Sequence, residues 1–163
     1  MDGSFKKGWG LIMQRYVMGF LFDINDSPPR VALIKKIEPH LFAGHWNGIG
    51  GKIESSESSL KAMIREFKEE TGVLILDWKL SIILRPPEAI VFVYKAFNIR
   101  LSEVKTVEEE VVDTFYVDKL PYDIVPNLRW IIPVQLASIE GNIDVTISRI
   151  GEVNNILDYG NFI

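Results

Sequence analysis

Three glutamates within five residues, Glu66, Glu69 and Glu70, are the part of this chain best suited to chemistry. On a helix turning about 100° per residue they share one arc. Lys61, Arg65 and Lys68 fall on a second arc, and Leu60, Met63, Ile64 and Phe67 on a third. A solvated helix would interleave its charges, whereas Glu66 faces Glu69 and Glu70 as like-charge neighbours, at a cost of roughly a few tenths of a kcal/mol per pair. The acidic arc borders the apolar stripe at Glu70, so these carboxylates flank a groove in which a cation would offset their repulsion. A second acidic stretch holds Glu103, Glu108, Glu109, Glu110, Asp113 and Asp118 against Lys105 alone. Two such patches point to a shared Mg²⁺ or Mn²⁺ site, because hard divalent cations prefer carboxylate and carbonyl oxygens. An exposed acidic face and a solubilising loop are the alternatives.

The rest of the composition narrows the chemistry. The chain contains no cysteine, which excludes a thiolate metal site, a cysteine nucleophile and a disulfide framework. His40 and His45 are the only histidines and are read as loop residues. With 163 residues, 47% hydrophobic and 25% charged, the sequence is that of one globular domain spanning 1–163. A net charge of −4 argues against a nucleic-acid binder with a broad basic face. Gln14 and Arg15 interrupt the apolar stretch that follows Lys6 and Lys7, so no export signal is expected. No run approaches the ~20 apolar residues of a spanning helix, and a cytoplasmic location with no membrane partner is the expectation.

Around these residues the chain reads as alternating strands and helices. Tyr16–Ile24 and Val31–Ile37 flank the turn cluster Asn25-Asp26-Ser27-Pro28-Pro29 and predict a β-hairpin. Four glycines between Pro39 and Gly51 predict a loop. Ser55–Thr71 predicts a helix with a serine N-cap and Gly72 as its stop. Val73–Leu84, Ala89–Ile99 and Val111–Val117 predict strands, Leu128–Ile139 a second helix with Pro133 near its start, and Ile143–Ile150 a last strand.

Spacing then ties the loop to the acidic helix. Gly51 is followed after five residues by Glu57, and after seven more by Arg65-Glu66-Phe67-Lys68-Glu69-Glu70-Thr71-Gly72-Val73. This resembles the Nudix box at every fixed position, with Phe67 where an aliphatic residue is more usual. The resemblance implies an α/β fold, a mixed β-sheet held between helices. It implies hydrolysis of a nucleoside diphosphate linked to another group, with Mg²⁺ as cofactor and Mn²⁺ able to substitute. Carried over, Glu66, Glu69 and Glu70 are expected metal ligands together with the Gly50 carbonyl, and Arg65 and Glu57 pair to orient the loop. Glu66 is the first candidate for the general base and Glu57 the second. A further ligand from outside the box is assigned to Glu109, with Glu108 and Glu110 as rivals.

The flanks are similar to relatives that hydrolyse oxidised purine nucleoside triphosphates. The matching segments are Ala43-Gly44-His45-Trp46-Asn47-Gly48-Ile49-Gly50-Gly51-Lys52, Pro126, Pro133 and Ile156-Leu157-Asp158-Tyr159. By this resemblance Asn47 contacts the base. Those relatives carry two aspartates after the proline matching Pro126, whereas this chain has Asn127 and Leu128. Asn127 can still bond a base edge and Leu128 cannot. Lys35, Phe20 and Trp130 complete the expected substrate contacts, with Phe42 a further stacking candidate. The expected activity is cleavage of a modified purine nucleoside triphosphate to monophosphate and pyrophosphate. A nucleotide sugar, a dinucleoside polyphosphate or a capped RNA end is the alternative substrate, and a catalytically silent nucleotide-binding domain the alternative class. The expected partner is a small nucleotide, and the chain a monomer or homodimer.

Overall fold

The structure, a computed structural model, describes residues 13–37, 42–87, 89–137 and 141–146. His40, Lys6, Lys7, residues 138–139 and 147–150 and the segment 156–159 lie outside them. The Val and Ile runs that alternate in the sequence form β1 (Gln14–Asp23), β2 (Arg30–Lys35), β4 (Lys79–Arg85), β5 (Ala89–Phe97), β6 (Val111–Tyr116) and β7 (Ile143–Thr146). A two-residue strand, β3 (Trp46–Asn47), lies inside the glycine-rich segment. Helix α1 covers Ser59–Thr71 and helix α2 Leu128–Leu136.

The strands make one mixed sheet in the order β3-β2-β1-β5-β4-β7, with β6 also on β2. β1 and β5 run parallel over nine residue pairs, and β4 and β7 are parallel too. Side chains of β1 and β2 alternate between two cores. Val17, Leu21, Ala32 and Ile34 meet Ala62, Met63 and Phe67 of α1 on one face. Met18, Phe20, Phe22, Val31 and Leu33 meet Leu128, Ile131 and Ile132 of α2 on the other. The sheet therefore sits between helices, as expected.

The predicted hairpin is real but short. β1 and β2 pair only at Phe22↔Val31 and Asp23↔Arg30 and then diverge. β2 gives its outer edge to β6 and the far end of its inner edge to β3. The gap beside β1 is filled by residues 49–53. Ile49 and Gly51 accept from Gly19 and Val17 at 2.7 and 2.9 Å, and Ile53 donates to Arg15 at 2.9 Å. A glycine-rich stretch read as loop is thus clamped against the central strand.

Two elements start later than in the sequence reading. α1 starts at Ser59, because Ser58 caps it by accepting from Lys61 at 3.3 Å and residues 55–57 turn ahead of it. Leu60 is exposed and Ala62 is buried in the stripe instead. Val73–Trp78 is not strand. Its alternation buries Val73, Ile75 and Trp78, but no neighbouring strand pairs with it, and β4 starts only at Lys79. No helix among the described residues is long and apolar enough to cross a membrane.

Candidate active site

The site is assembled where the clamped segment 49–53 faces α1. Gly50 has φ 156°, and a Cβ there would lie 2.1 Å from the Val17 carbonyl oxygen, so only glycine fits against β1. With the Ile49 and Gly51 carbonyls turned to β1, strand alternation leaves the Gly50 carbonyl on the opposite edge. At Gly51 a Cβ would fall 2.6 Å from the Glu66 carboxylate, which places the bare backbone of the loop directly against that side chain.

Arg65 holds the two parts together. Its Nε and Nη2 donate to both carboxylate oxygens of Glu57, at 3.2 and 2.6 Å, and Nη2 also reaches the Lys52 carbonyl at 3.3 Å. Its Nη1 donates to Glu66 at 2.8 Å and to Glu69 at 3.0 Å. Glu57 also accepts from the Glu54 N–H at 3.0 Å, which closes the turn before α1. The Arg65–Glu57 pair implied by the resemblance is therefore present as a two-pronged fork. Arg65 holds the Glu57 carboxyl below its ordinary range, and donating to Glu57 pushes the guanidinium higher still.

The remaining carboxylates divide by burial. Glu69 has a side chain 47% exposed and leans on Arg65. Burial raises the Glu66 carboxyl against the opposing effect of Arg65. Glu70 is buried, and its Oε2 has no hydrogen-bond partner. Burial, with Glu110, Glu108 and Glu66 adding repulsion against Lys36, pushes its carboxyl up to about 7.

Of the three consecutive glutamates before β6, Glu110 is the one with side-chain partners. Glu110 accepts from Lys36 Nζ at 2.8 Å and from the Ile37 N–H at 2.9 Å. Its charge and that of Glu108 reach Glu70, while Glu109 is exposed. The three glutamates, Ile37 and Val107 line an open cleft of about 720 Å³. Among the described residues no three carboxylates or imidazoles converge tightly enough to hold a metal ion. The reason is visible in the pairings: Glu66 and Glu69 are turned to Arg65, and Glu110 to Lys36. The donor set nonetheless suits a hard divalent cation, being all oxygen, with one buried carboxylate oxygen of Glu70 left unpaired.

Of the expected substrate contacts, Lys35 and Asn47 lie at the same end of β2 as the Lys36–Glu110 pair, Asn47 standing opposite Ile34. Asn47 is buried and its Oδ1 accepts from Gly48 N at 2.9 Å. Asn127 is buried at the start of α2, and both its amide atoms lack partners. Lys35 is bonded to Asp123 at 2.9 Å and stands 5.6 Å above the Trp46 ring. Trp130 is 41% exposed on the first turn of α2. Phe42 is half-buried with its ring edge on His45. Phe20 is corrected: it is fully buried beside Phe22 in the sheet–α2 core and offers no open stacking face. Sequence reasoning did not single out Lys36. The available signal was strand alternation, which sends the adjacent Lys35 and Lys36 to opposite sides of β2.

Comparison with known proteins agrees with this architecture. The family model described as NUDIX domain matches residues 13–134. An uncharacterized Nudix hydrolase of Bacillus subtilis, YvcI, is 47% identical over 38 residues, 23% of this chain and 24% of that relative. The match thus spans about a quarter of the curated relative's length. Among solved structures, a MutT NUDIX hydrolase from Burkholderia pseudomallei superposes with TM-score 0.61 at 25% identity, covering 76% of this chain and 99% of that one. The MutT protein of Bacillus halodurans gives 0.57 at 24%, covering 76% and 83%. An ADP-ribose pyrophosphatase from Streptococcus suis gives 0.60 at 17%, covering 83% and 99%.

Proposed function

The chain belongs to the Nudix family, and from that premise we propose that it hydrolyses a pyrophosphate bond of a nucleoside triphosphate, releasing the monophosphate and pyrophosphate. The observation that carries this reading is Glu70: a buried carboxylate with an unpaired oxygen, one helical turn from Glu66 and within reach of the charge of Glu110. A protein does not keep such a group without a use, because an unpaired buried carboxylate destabilises the fold.

In this reading Glu66, Glu69, Glu70, Glu110 and the Gly50 carbonyl would hold Mg²⁺ or Mn²⁺. When bound, the cation supplies charge neutralisation to the polyphosphate and Lewis acidity at the phosphorus under attack. Arg65 keeps Glu57 and the Gly50–Gly51 backbone fixed against α1, so the loop carbonyl and the Glu66 carboxylate face one space. Glu66, set directly against the Gly51 backbone, is the base that takes the proton from the attacking water. Glu57 is a poorer base, since both its oxygens are engaged by Arg65 and its proton affinity is lowered.

Asn47 and Asn127 present amides to a base edge, with Lys35 near Asn47 and Trp130 at the rim. With Asn127 and Leu128 in place of the paired aspartates, only Asn127 can bond a base edge there, so the choice of base is read from the substrate panel. The experiment is product analysis with Mg²⁺ across ordinary and oxidised (deoxy)nucleoside triphosphates, nucleotide sugars including ADP-ribose, and dinucleoside polyphosphates. Monophosphate and pyrophosphate from a purine triphosphate support the proposal. Turnover confined to a nucleotide sugar moves the substrate class, and binding without turnover assigns a silent domain.

A further inference from the structure

Lys36 places a positive charge inside the carboxylate cluster, and nothing in the proposed reaction uses it. Its backbone is pinned where β2 ends, donating to the His45 carbonyl at 3.1 Å and accepting from Gly44 at 2.7 Å. Alternation sends Lys35 toward Asp123 and Lys36 toward the acidic loop. The Lys36–Glu110 pair is well shielded, with side chains 16% and 20% exposed, and the Ile37 N–H holds the second Glu110 oxygen. Lys36 also favours the ionised forms of Glu66 and Glu70, so its field spans the cluster. The cleft lined by Ile37 and Glu110 is open, and Glu70 Oε2 is buried without a hydrogen-bond partner.

We propose that Lys36 is an internal counter-cation of this site, offsetting the carboxylates while no divalent cation is present and competing with one that enters. The proposal rests on the reading of these carboxylates as a cation site. Its physical basis is Coulombic. A fixed unit charge among the ligands lowers the net negative potential that attracts a divalent ion, and it occupies Glu110, a carboxylate the ion needs. The fold thereby trades cation affinity for stability of the cation-free state, in which Glu66, Glu70 and Glu110 would otherwise repel one another.

The test is a Mn²⁺ titration of the full chain, read by electron paramagnetic resonance of the free ion, with thermal melts of each cation-free protein. Lys36→Met and Lys36→Gln remove the charge and Lys36→Arg retains it. The expected result is binding about tenfold tighter in the two neutral variants and within about twofold of the parent in Lys36→Arg. The neutral variants should also melt lower without cation and recover when Mn²⁺ is added. Unchanged or weaker Mn²⁺ binding in folded neutral variants overturns the proposal and makes Lys36 a tether that positions Glu110. Folded parent protein that takes up no Mn²⁺ overturns the cation-site reading, and this proposal with it.

Discussion

Arg65 grips Glu57 with two donors at 3.2 and 2.6 Å while its third nitrogen reaches Glu66 at 2.8 Å, so one guanidinium fixes loop and helix together. The fork geometry is specific to arginine, because a lysine ammonium cannot bond both Glu57 oxygens and Glu66 in one plane. Arg65→Lys should lower kcat by about 10- to 100-fold, the usual cost of losing an orienting partner, with a smaller effect on KM. Steady-state kinetics beside a thermal melt separate this from unfolding.

Gly51→Ala tests the contact between loop and helix. The added Cβ would meet the Glu66 carboxylate at 2.6 Å, and either the loop or Glu66 must move by about an ångström. A displacement of that size costs on the order of 100-fold in rate. Folding should survive, since Glu66 can rotate away, and circular dichroism checks this.

Glu110→Gln and Glu109→Gln distinguish neighbours that sequence could not. Glu110 is bonded to Lys36 and its charge reaches Glu70, whereas Glu109 is exposed. Mn²⁺ affinity should fall at least about tenfold for Glu110→Gln and change less than about twofold for Glu109→Gln. The reverse order would restore Glu109 as the outside ligand.

The cation-free protein should lose stability as pH rises. The Glu70 carboxyl sits at about 7 in the fold against an ordinary 4.5, so the native state holds more protons than the unfolded state between those values. The contribution of Glu70 is therefore greatest below about 4.5, declines toward 7 and is flat above it, and Glu66, also raised, acts in the same direction. The loss is on the order of 1–3 kcal/mol. Glu57 opposes it at the acid end, because its lowered carboxyl contributes stability that disappears as pH falls below its ordinary value. Urea melts from pH 4 to 8 should follow this decline, and Glu70→Gln should flatten most of it.

Asn127→Leu should stabilise the free protein while weakening nucleotide binding. Removing two buried, unpartnered amide atoms relieves about 1–3 kcal/mol of desolvation cost, as expected of a group kept for binding. A higher melting temperature with a raised KM supports Asn127 as a base reader. A lower melting temperature would make it a structural residue.

The acidic helix was legible because its charges and its apolar stripe repeat at helical spacing, and because Gly51, Glu57 and Arg65 stand at fixed distances from it. The clamping of residues 49–53 onto β1 was not, since nothing local in a glycine-rich run says which strand it will pair with. The same limit applies to Val73–Trp78, whose alternation is satisfied by burial without a partner strand. Phe20 illustrates it from the other side: an aromatic on β1 reads equally as core or as stacking surface until α2 covers it. The pairing that sets Glu110 apart from Glu108 and Glu109 is with Lys36, 74 residues distant in sequence, and no local pattern announces it.

If Glu70 belongs to a cation-dependent hydrolytic site, Mg²⁺-dependent pyrophosphate release by parent protein and Glu70→Gln, on the triphosphate best turned over, reads it out directly. Folded Glu70→Gln should retain its nucleotide affinity and lose at least about 10³-fold in kcat. A Glu70→Gln protein that hydrolyses at close to the parent rate, or a folded parent that releases nothing with Mg²⁺ or Mn²⁺, would contradict that role.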